Sequence, residues 1–250
     1  MPKISILLPT YNGGLYIEEA IKSVLGQTYQ DWELLILDDA STDNTEQIST
    51  RYSKIDHRII YIKNERNLRL AKNLNKGLLL SSGEIIARID EDDTWIDTNK
   101  LKKQAGTLIT NNSVLVGTHF EIVDDKNNLI RTVTPPLDDN SIRKIILSYN
   151  PFCHSSVIFD KKSAIRVGGY NDKIPYGEDY DLWLKLGRLG TLSIIPSIAV
   201  KYLQRDGNMS SKHNKLGQIK FICRILYTHA WHYPNKIKAF LSFIKYIVSK

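Results

Sequence analysis

Two cysteines in 250 residues, Cys153 and Cys223, are too few and too far apart for a disulfide framework or a Cys-x-x-Cys zinc site, which points to a reducing compartment. No apolar run reaches the ~18 residues that a membrane-spanning helix needs. The opening residues run straight into a strand-like pattern, with neither a basic n-region nor a small-residue cleavage site, so no secretory leader is expected and the chain reads as cytoplasmic. Acid is missing from one region altogether: residues 207–250 carry eight Lys or Arg and no Asp or Glu, leaving 26 basic against 27 acidic residues before them. The net charge of +7 therefore belongs to the tail, and a main domain without basic excess argues against nucleic-acid binding. Internal repeats and low-complexity segments are absent as well. A hydrophobic fraction of 42% and a charged fraction of 24% exclude disorder.

What is present alternates between strand and helix. Residues 4–8 read as a buried strand; Ile17, Ala20, Ile21, Val24 and Leu25 then follow the i, i+3, i+4, i+7, i+8 spacing of an amphipathic helix. Residues 34–37 form the next strand and end in Asp38-Asp39, with Ser41-Thr42-Asp43-Asn44 placed to cap a helix. Strand signals recur at 58–62 and 85–89, around a helix marked by Leu70, Ala71, Leu74 and Leu78 and stopped near Ser81-Ser82-Gly83. This βαβα rhythm predicts an open α/β fold with a mostly parallel sheet. Further strands are expected at 114–116, 120–123, 129–133 and 155–159, with a hairpin turn over 124–128. Ligands in such sheets bind beyond the carboxyl ends of the strands. Pro9-Thr10-Tyr11-Asn12, Asp38-Asp39 and Asp90-Glu91-Asp92-Asp93 each follow a strand and should share one rim.

The acidic cluster Asp90-Glu91-Asp92-Asp93 says most about chemistry. Carboxylates crowded at a strand end repel one another, so a divalent cation there is expected. Oxygen-only ligands favour Mg²⁺ or Mn²⁺ over zinc. A second acidic group, Glu178-Asp179, opens a helical pattern in which Tyr180, Trp183, Leu184 and Gly187 share a face, and acids at a helix N-terminus are favoured by the macrodipole.

Ser5-Ile6-Leu7-Leu8-Pro9-Thr10-Tyr11-Asn12-Gly13, Ser23-Val24-Leu25-Gly26-Gln27-Thr28-Tyr29, Leu37-Asp38-Asp39-Ala40-Ser41-Thr42-Asp43, Asp90-Glu91-Asp92-Asp93 with Trp95 and Leu101, and Glu178-Asp179-Tyr180-Asp181-Leu182-Trp183 together resemble family 2 glycosyltransferases of the GT-A fold, in the family's order over about residues 3–210. The resemblance implies an inverting, metal-dependent transferase using a nucleotide-diphosphate sugar, with a Rossmann-like sheet flanked by helices. By the same resemblance, Pro9, Thr10 and Tyr11 line the nucleotide pocket and Asp39 meets the base, usually uracil. Asp90 faces the ribose or the metal, Asp92 ligates the metal, Asp93 is held in reserve and Glu91 is expected to face away. Asp179 is the expected base toward the acceptor hydroxyl, with Glu178 its alternative and His154 a candidate on the acceptor side. For each there is a plainer reading: an Asx turn for Asp39, a helix cap for Asp179, a satisfied half-buried histidine for His154.

Two departures stand out. Arg69 stands where many members have Gly, so the geometry of the 64–71 loop is open, and exposure is the expectation for Arg66 and Arg69. Arg205 stands where His is frequent, which removes a metal ligand from that position and offers a guanidinium to the leaving diphosphate instead. The expected organisation is a GT-A domain over 1–210, with a nucleotide-binding half at 1–95 and an acceptor-side half at 96–210, followed by a basic amphipathic tail at 211–250. Ile237, Phe240, Leu241, Ile244 and Val248 make a helical stripe among Lys236, Lys238, Lys245 and Lys250. It fits an anionic membrane surface on the inner face of the cell membrane, a homodimer partner or the chain's own domain. The expected activity is transfer of one sugar, from a UDP-sugar by preference, to a surface-glycan or lipid-linked acceptor. A sugar-phosphate nucleotidyltransferase is the alternative, but the segment after the first strand lacks the Gly-rich, Arg-bearing loop that this class would need.

Overall fold

The computed structural model describes residues 2–205 and 215–248. Residues 206–210 of the Arg205 element, the division at 210/211, Lys212 and Lys250 fall outside them, as do the side chains of Lys215, Lys245, Tyr246 and Val248. Strand β1 (Ile4–Thr10) lies between β2 (Trp32–Asp38) and β4 (Ile85–Arg88), and β3 (Ile59–Lys63) flanks β2; all four run parallel. All residues of β1 and β2 are buried, which is why both read as continuous apolar runs rather than as alternating ones. Beyond β4 the sheet becomes mixed. β8 (Ile158–Asp160) runs antiparallel to β4 and to β6 (Ser113–Val123), β6 pairs parallel with β9 (Thr191–Leu203), and β5 (Thr94–Trp95) closes the edge. β7 (Leu129–Val133) forms the expected hairpin with β6.

Two strand expectations change. The runs at 114–116 and 120–123 are one strand, because register shifts near Thr118 and His119 let β6 bend without ending. At 155–159, a 3₁₀ turn over His154–Ser156 occupies the first half and only Ile158–Asp160 pairs. Helices cover both faces. α1 (Ile17–Leu25), α2 (Thr45–Ile55) and α4 (Lys100–Thr110) bury their apolar stripes on one side. α3 (Leu70–Leu80), α5 (Asp139–Ile145), α6 (Lys161–Arg166) and α7 (Glu178–Leu186) do so on the other.

The tail forms two helices, α8 (Lys215–His229) and α9 (Lys236–Val248). This C-terminal helical appendage packs on the domain: Ile225, Tyr233 and Ala239 are buried in the same core cluster as Trp183 and Leu184 of α7. No described helix is long and apolar enough to cross a membrane.

Candidate active site

The parallel strands β1, β2 and β4 deliver their carboxyl ends to one rim. Thr10 pairs with Asp38 across the β1–β2 ladder, and the Asp39 amide donates to the Thr10 carbonyl at 2.9 Å, locking the two strand ends together. The loops beyond are stitched crosswise. Asn12 N–H donates to Ser41 Oγ (2.9 Å), Thr42 N–H to Asn12 Oδ1 (2.8 Å) and Gly14 N–H to Asp43 Oδ2 (2.9 Å). Asp43, rather than an N-cap side chain at Asn44, also receives the Thr45 amide at the start of α2. Pro9 and Thr10 are buried at this edge, whereas Tyr11 is half exposed over it.

Asp39 is buried, and both its oxygens are engaged. Oδ1 accepts from Asn64 Nδ2 and the Leu68 amide, each at 2.8 Å, and Oδ2 accepts from the Arg69 amide at 2.9 Å. The carboxylate thus gathers the 64–69 loop onto the end of β2, a partner set that sequence spacing does not reveal. Arg69 itself has φ 70° and ψ 158°, a backbone region that is essentially the property of glycine. The departure at this position is therefore a strained one, with Arg66 and Arg69 exposed as expected.

The acidic turn after β4 is built on a buried arginine. Arg88 has no exposed side-chain surface; it donates to the carbonyls of Leu7 and Ile89, to Asp90 Oδ1 (2.6 Å) and to His154 Nε2 (2.9 Å). Burial is the largest single influence on the Asp90 carboxyl and would push it up, but the Arg88 charge, His154 and the hydrogen bonds from Arg88 and Ser155 together hold the group below the usual range. Burial drives His154 down to about 3, with Arg88 adding to the effect, so the ring is neutral between Arg88 and the Tyr170 hydroxyl (3.0 Å). His154 is half-buried, with its Nε2 engaged by Arg88 and Tyr170.

Asp92 is raised by burial and then by the Asp90 charge, against the pull of Arg205, whose Nε and Nη2 both lie 2.9 Å from Asp92 Oδ2. The Arg205 guanidinium also stacks over the Tyr16 ring at 4.6 Å. Asp93 points into the core, bonded by Ser155 Oγ and the Leu203 amide, and burial raises it well above an ordinary carboxyl. Glu91 corrects the expectation that it faces away. Its Oε2 accepts the Tyr11 amide at 3.0 Å, because the turn that sends Asp90 and Asp93 inward leaves this longer acid facing the β1 loop; burial pushes it up to about 7.

Among the described residues, no three His, Cys, Asp or Glu converge as a metal cage. Asp90 and Asp92 are nevertheless two oxygen donors crowded enough to raise Asp92, each with one oxygen on an arginine. That set fits a Mg²⁺ or Mn²⁺ ion that arrives with a diphosphate, since such ions are commonly held by one or two carboxylates plus phosphate oxygens.

The last acids enter from α7. Gly177, in the left-handed region at φ 72°, turns the chain into the helix, and Glu178 and Asp179 follow in its first turn. Asp179 Oδ2 accepts from Asn150 Nδ2 at 2.9 Å, a partner that the sequence did not flag. Burial pushes Asp179 up to about 6 and the Asp90 charge adds to it, while the Tyr180 amide and Asn150 act in the opposite sense. Glu178 is pushed up to about 7 by burial and then by Asp179. The strand-end acids and the α7 acids are thus close enough for their charges to act on one another.

A model of Glycosyl transferase family 2 matches residues 5–168, covering β1 through α6 and the whole acidic turn. An uncharacterised glycosyltransferase of Haemophilus influenzae is 32% identical over 250 residues, spanning 94% of this chain and 76% of that protein. The Escherichia coli enzyme WfgD, a UDP-Glc:alpha-D-GlcNAc-diphosphoundecaprenol beta-1,3-glucosyltransferase, is 32% identical over 219 residues, 87% of this chain and 82% of its own. Other relatives are longer: the chain spans 38% of an uncharacterised glycosyltransferase of Rickettsia conorii. Among solved structures, S. aureus TarS 1-349 in complex with UDP-GlcNAc superposes with a TM-score of 0.78 at 20% identity, over 99% of this chain and 73% of that fragment. That likeness is one of fold, and the fold is GT-A, a Rossmann-like sheet with helices on both faces. With the family pattern carried across the strands that build the rim, and with 32% identity to a relative over 94% of the chain, the chain belongs to glycosyl transferase family 2.

Proposed function

We propose that the chain transfers a single sugar with inversion from a nucleotide-diphosphate sugar, a UDP-sugar by preference, to a hydroxyl of a surface-glycan or lipid-linked acceptor. The observation that carries this reading is Asp179: a buried carboxyl held by Asn150 at a helix N-terminus, raised to about 6 and within electrostatic reach of the strand-end acids. A base near neutrality in that position suits removal of a proton from an attacking hydroxyl. Pro9, Thr10 and Tyr11 line the nucleotide pocket, and Asp39 shapes it through the 64–69 loop. The substrates in the name of WfgD and the UDP-GlcNAc bound to TarS 1-349 support a UDP-sugar donor and, for WfgD, a lipid-linked acceptor.

In this reading Asp90 and Asp92 hold Mg²⁺ or Mn²⁺ on the donor diphosphate. The cation, when bound, offsets the negative charge that builds on the departing phosphate. Arg88 keeps Asp90 ionised and aimed at the rim, and Arg205 stands beside Asp92, where its remaining donors can meet phosphate oxygens. Glu178 is the second acid of the pair, pushed up to about 7, and remains the alternative base. The outer face of α9 presents Ile237, Phe240, Leu241 and Ile244 to solvent beside Lys236 and Lys238, which supports peripheral contact with an anionic membrane carrying the acceptor, with a homodimer as the competing occupant.

Release of UDP from UDP-sugars by the wild type, set against Asp179→Asn, tests the core of the proposal. Loss of about 10²-fold or more in turnover is expected for that variant. Full activity in a folded Asp179→Asn protein removes the assignment. For the tail, Ile237→Glu with Leu241→Glu should abolish cosedimentation with phosphatidylglycerol vesicles, and unchanged cosedimentation rejects the membrane contact.

A further inference from the structure

The first turn of α7 carries the proposed base, yet no side chain caps its N-terminus, and Gly177 leaves the entry into the helix soft. Its orientation is set by packing, and the tail is one of the elements packed on it, with α6 and β6. His229 of α8 has no exposed surface and stands between two points of α7. Its Nε2 lies 3.0 Å from Asp181 Oδ1, two residues from Asp179, and its Nδ1 receives Nη2 of Arg188, just beyond the end of the helix. A neutral imidazole with the proton on Nε2 satisfies both contacts at once, donating to the carboxylate and accepting from the guanidinium. Asp181 also pairs with Lys185 at 2.6 Å.

Phe221, two turns earlier on α8, covers the entry itself. Its ring lies 4.9 Å from that of Tyr176 and 6.2 Å from that of Tyr180, and a Cβ on Gly177 would collide with it. Beyond α8, the Tyr233 hydroxyl donates to the Leu184 carbonyl at 2.7 Å and covers Gly187 closely enough that a Cβ there would clash. The tail thus touches α7 at its entry, its first turn, its last turn and its exit. Asn150 holds Asp179 from the other side.

We propose that α8 is a working part of the active site, with His229 and Phe221 as positioning residues that fix the first turn of α7 and so the Asp179 carboxylate. The inference rests on the reading of Asp179 as the base. Its consequence is kinetic, because misplacing a catalytic group by about 1 Å can cost about 10²-fold in rate while the donor site stays intact. Among the described residues α8 packs on α7, α9 and the turn joining it to α9, so nucleotide affinity should survive.

The test uses the full chain with His229→Leu, His229→Gln, Phe221→Ala and Phe221→Leu, below the unfolding temperature of each. UDP affinity by calorimetry, UDP release from UDP-glucose and UDP-GlcNAc, and amide hydrogen exchange over residues 177–183 are measured together. Expected for His229→Leu and Phe221→Ala are faster exchange at 178–182, UDP affinity within about twofold of wild type and release slower by about tenfold or more. His229→Gln and Phe221→Leu should recover part of the loss, and Phe221→Ala carries the test where His229→Leu does not fold. Unchanged exchange at 178–182, or wild-type release rates in folded His229→Leu and Phe221→Ala, overturns the proposal. Exchange does not depend on the identity of the base. If Asp179→Asn keeps its activity while exchange still quickens in the α8 variants, the base assignment has failed and the clamp has not.

Discussion

Replacing Asp39 separates two roles that the residue could play. In the structure its carboxylate takes three donors: Asn64 Nδ2 and the Leu68 amide on one oxygen, the Arg69 amide on the other. Asp39→Ala removes the acceptor for all three. Bonds to a charged acceptor are worth about 1.5–3 kcal/mol each, and a buried donor left unpaired costs about 1–3 kcal/mol. The sum is smaller than three full bonds for two reasons. Asn64 Nδ2 and the Arg69 amide keep their second partners, Asn73 Oδ1 at 2.9 Å and Asn67 Oδ1 at 3.0 Å, and the Leu68 amide is partly buried, so water can reach it. A loss of about 3 kcal/mol is expected for Asp39→Ala. Asp39→Asn keeps one oxygen but turns an amide N–H toward a loop donor, which should cost about 1–2 kcal/mol. At this size a kilocalorie moves the melting temperature by about 2–4 °C, so Asp39→Ala should melt about 6–12 °C lower. Thermal denaturation and UDP titration on the same samples decide the matter. A shift below about 2 °C with UDP affinity lost about tenfold would refute the argument, because the carboxylate would then be spending its bonds on nucleotide and not on the loop.

Four further outcomes follow from the same geometry. Turnover should rise with pH through about 6 and level off above, since Asp179 acts as a base only when ionised; a flat profile from pH 5 to 8 counts against it. Because the folded state binds the Asp179 and Glu178 protons more tightly than the unfolded chain, these two groups stabilise the fold at low pH, and that contribution fades as pH rises through about 6 to 7. Arg69→Gly relieves a backbone strain of about 1–3 kcal/mol against a glycine entropy cost of about 1 kcal/mol, so the variant should melt a few degrees higher; an unchanged or lower melting temperature rejects the strain argument. Arg205→His removes the guanidinium from Asp92 and restores an imidazole beside it, so Mn²⁺ binding followed by calorimetry in the presence of UDP should tighten, and weaker binding would show that Arg205 does not compete for that carboxylate.

The sequence by itself determined the alternation of elements and the rim on which the chemistry gathers. β1, β2 and β4 are buried on both faces and read as apolar runs, and the acids fall directly after them; parallel pairing then leaves their loops nowhere else to go. It determined the start of α7 as well, because Glu178 and Asp179 precede a clean helical face. Partnership was decided only by the tertiary structure. The Asp39 contact with the 64–69 loop, Arg88 beneath Asp90, Asn150 on Asp179 and Arg205 on Asp92 join residues 25 to 113 positions apart, apart from the Arg88–Asp90 pair two residues apart. Hydrogen bonds of that kind leave no periodicity in the chain, since either partner alone has the composition of an ordinary surface residue. Glu91 was misread for the same reason: an acid in a turn looks solvated until the loop that offers it an amide, 80 residues away, is brought alongside. The tail shows the division most clearly. Its basic charge and apolar stripe were legible, but the burial of His229 against Asp181 was not, because a lone histidine acquires a role only from what the fold packs around it.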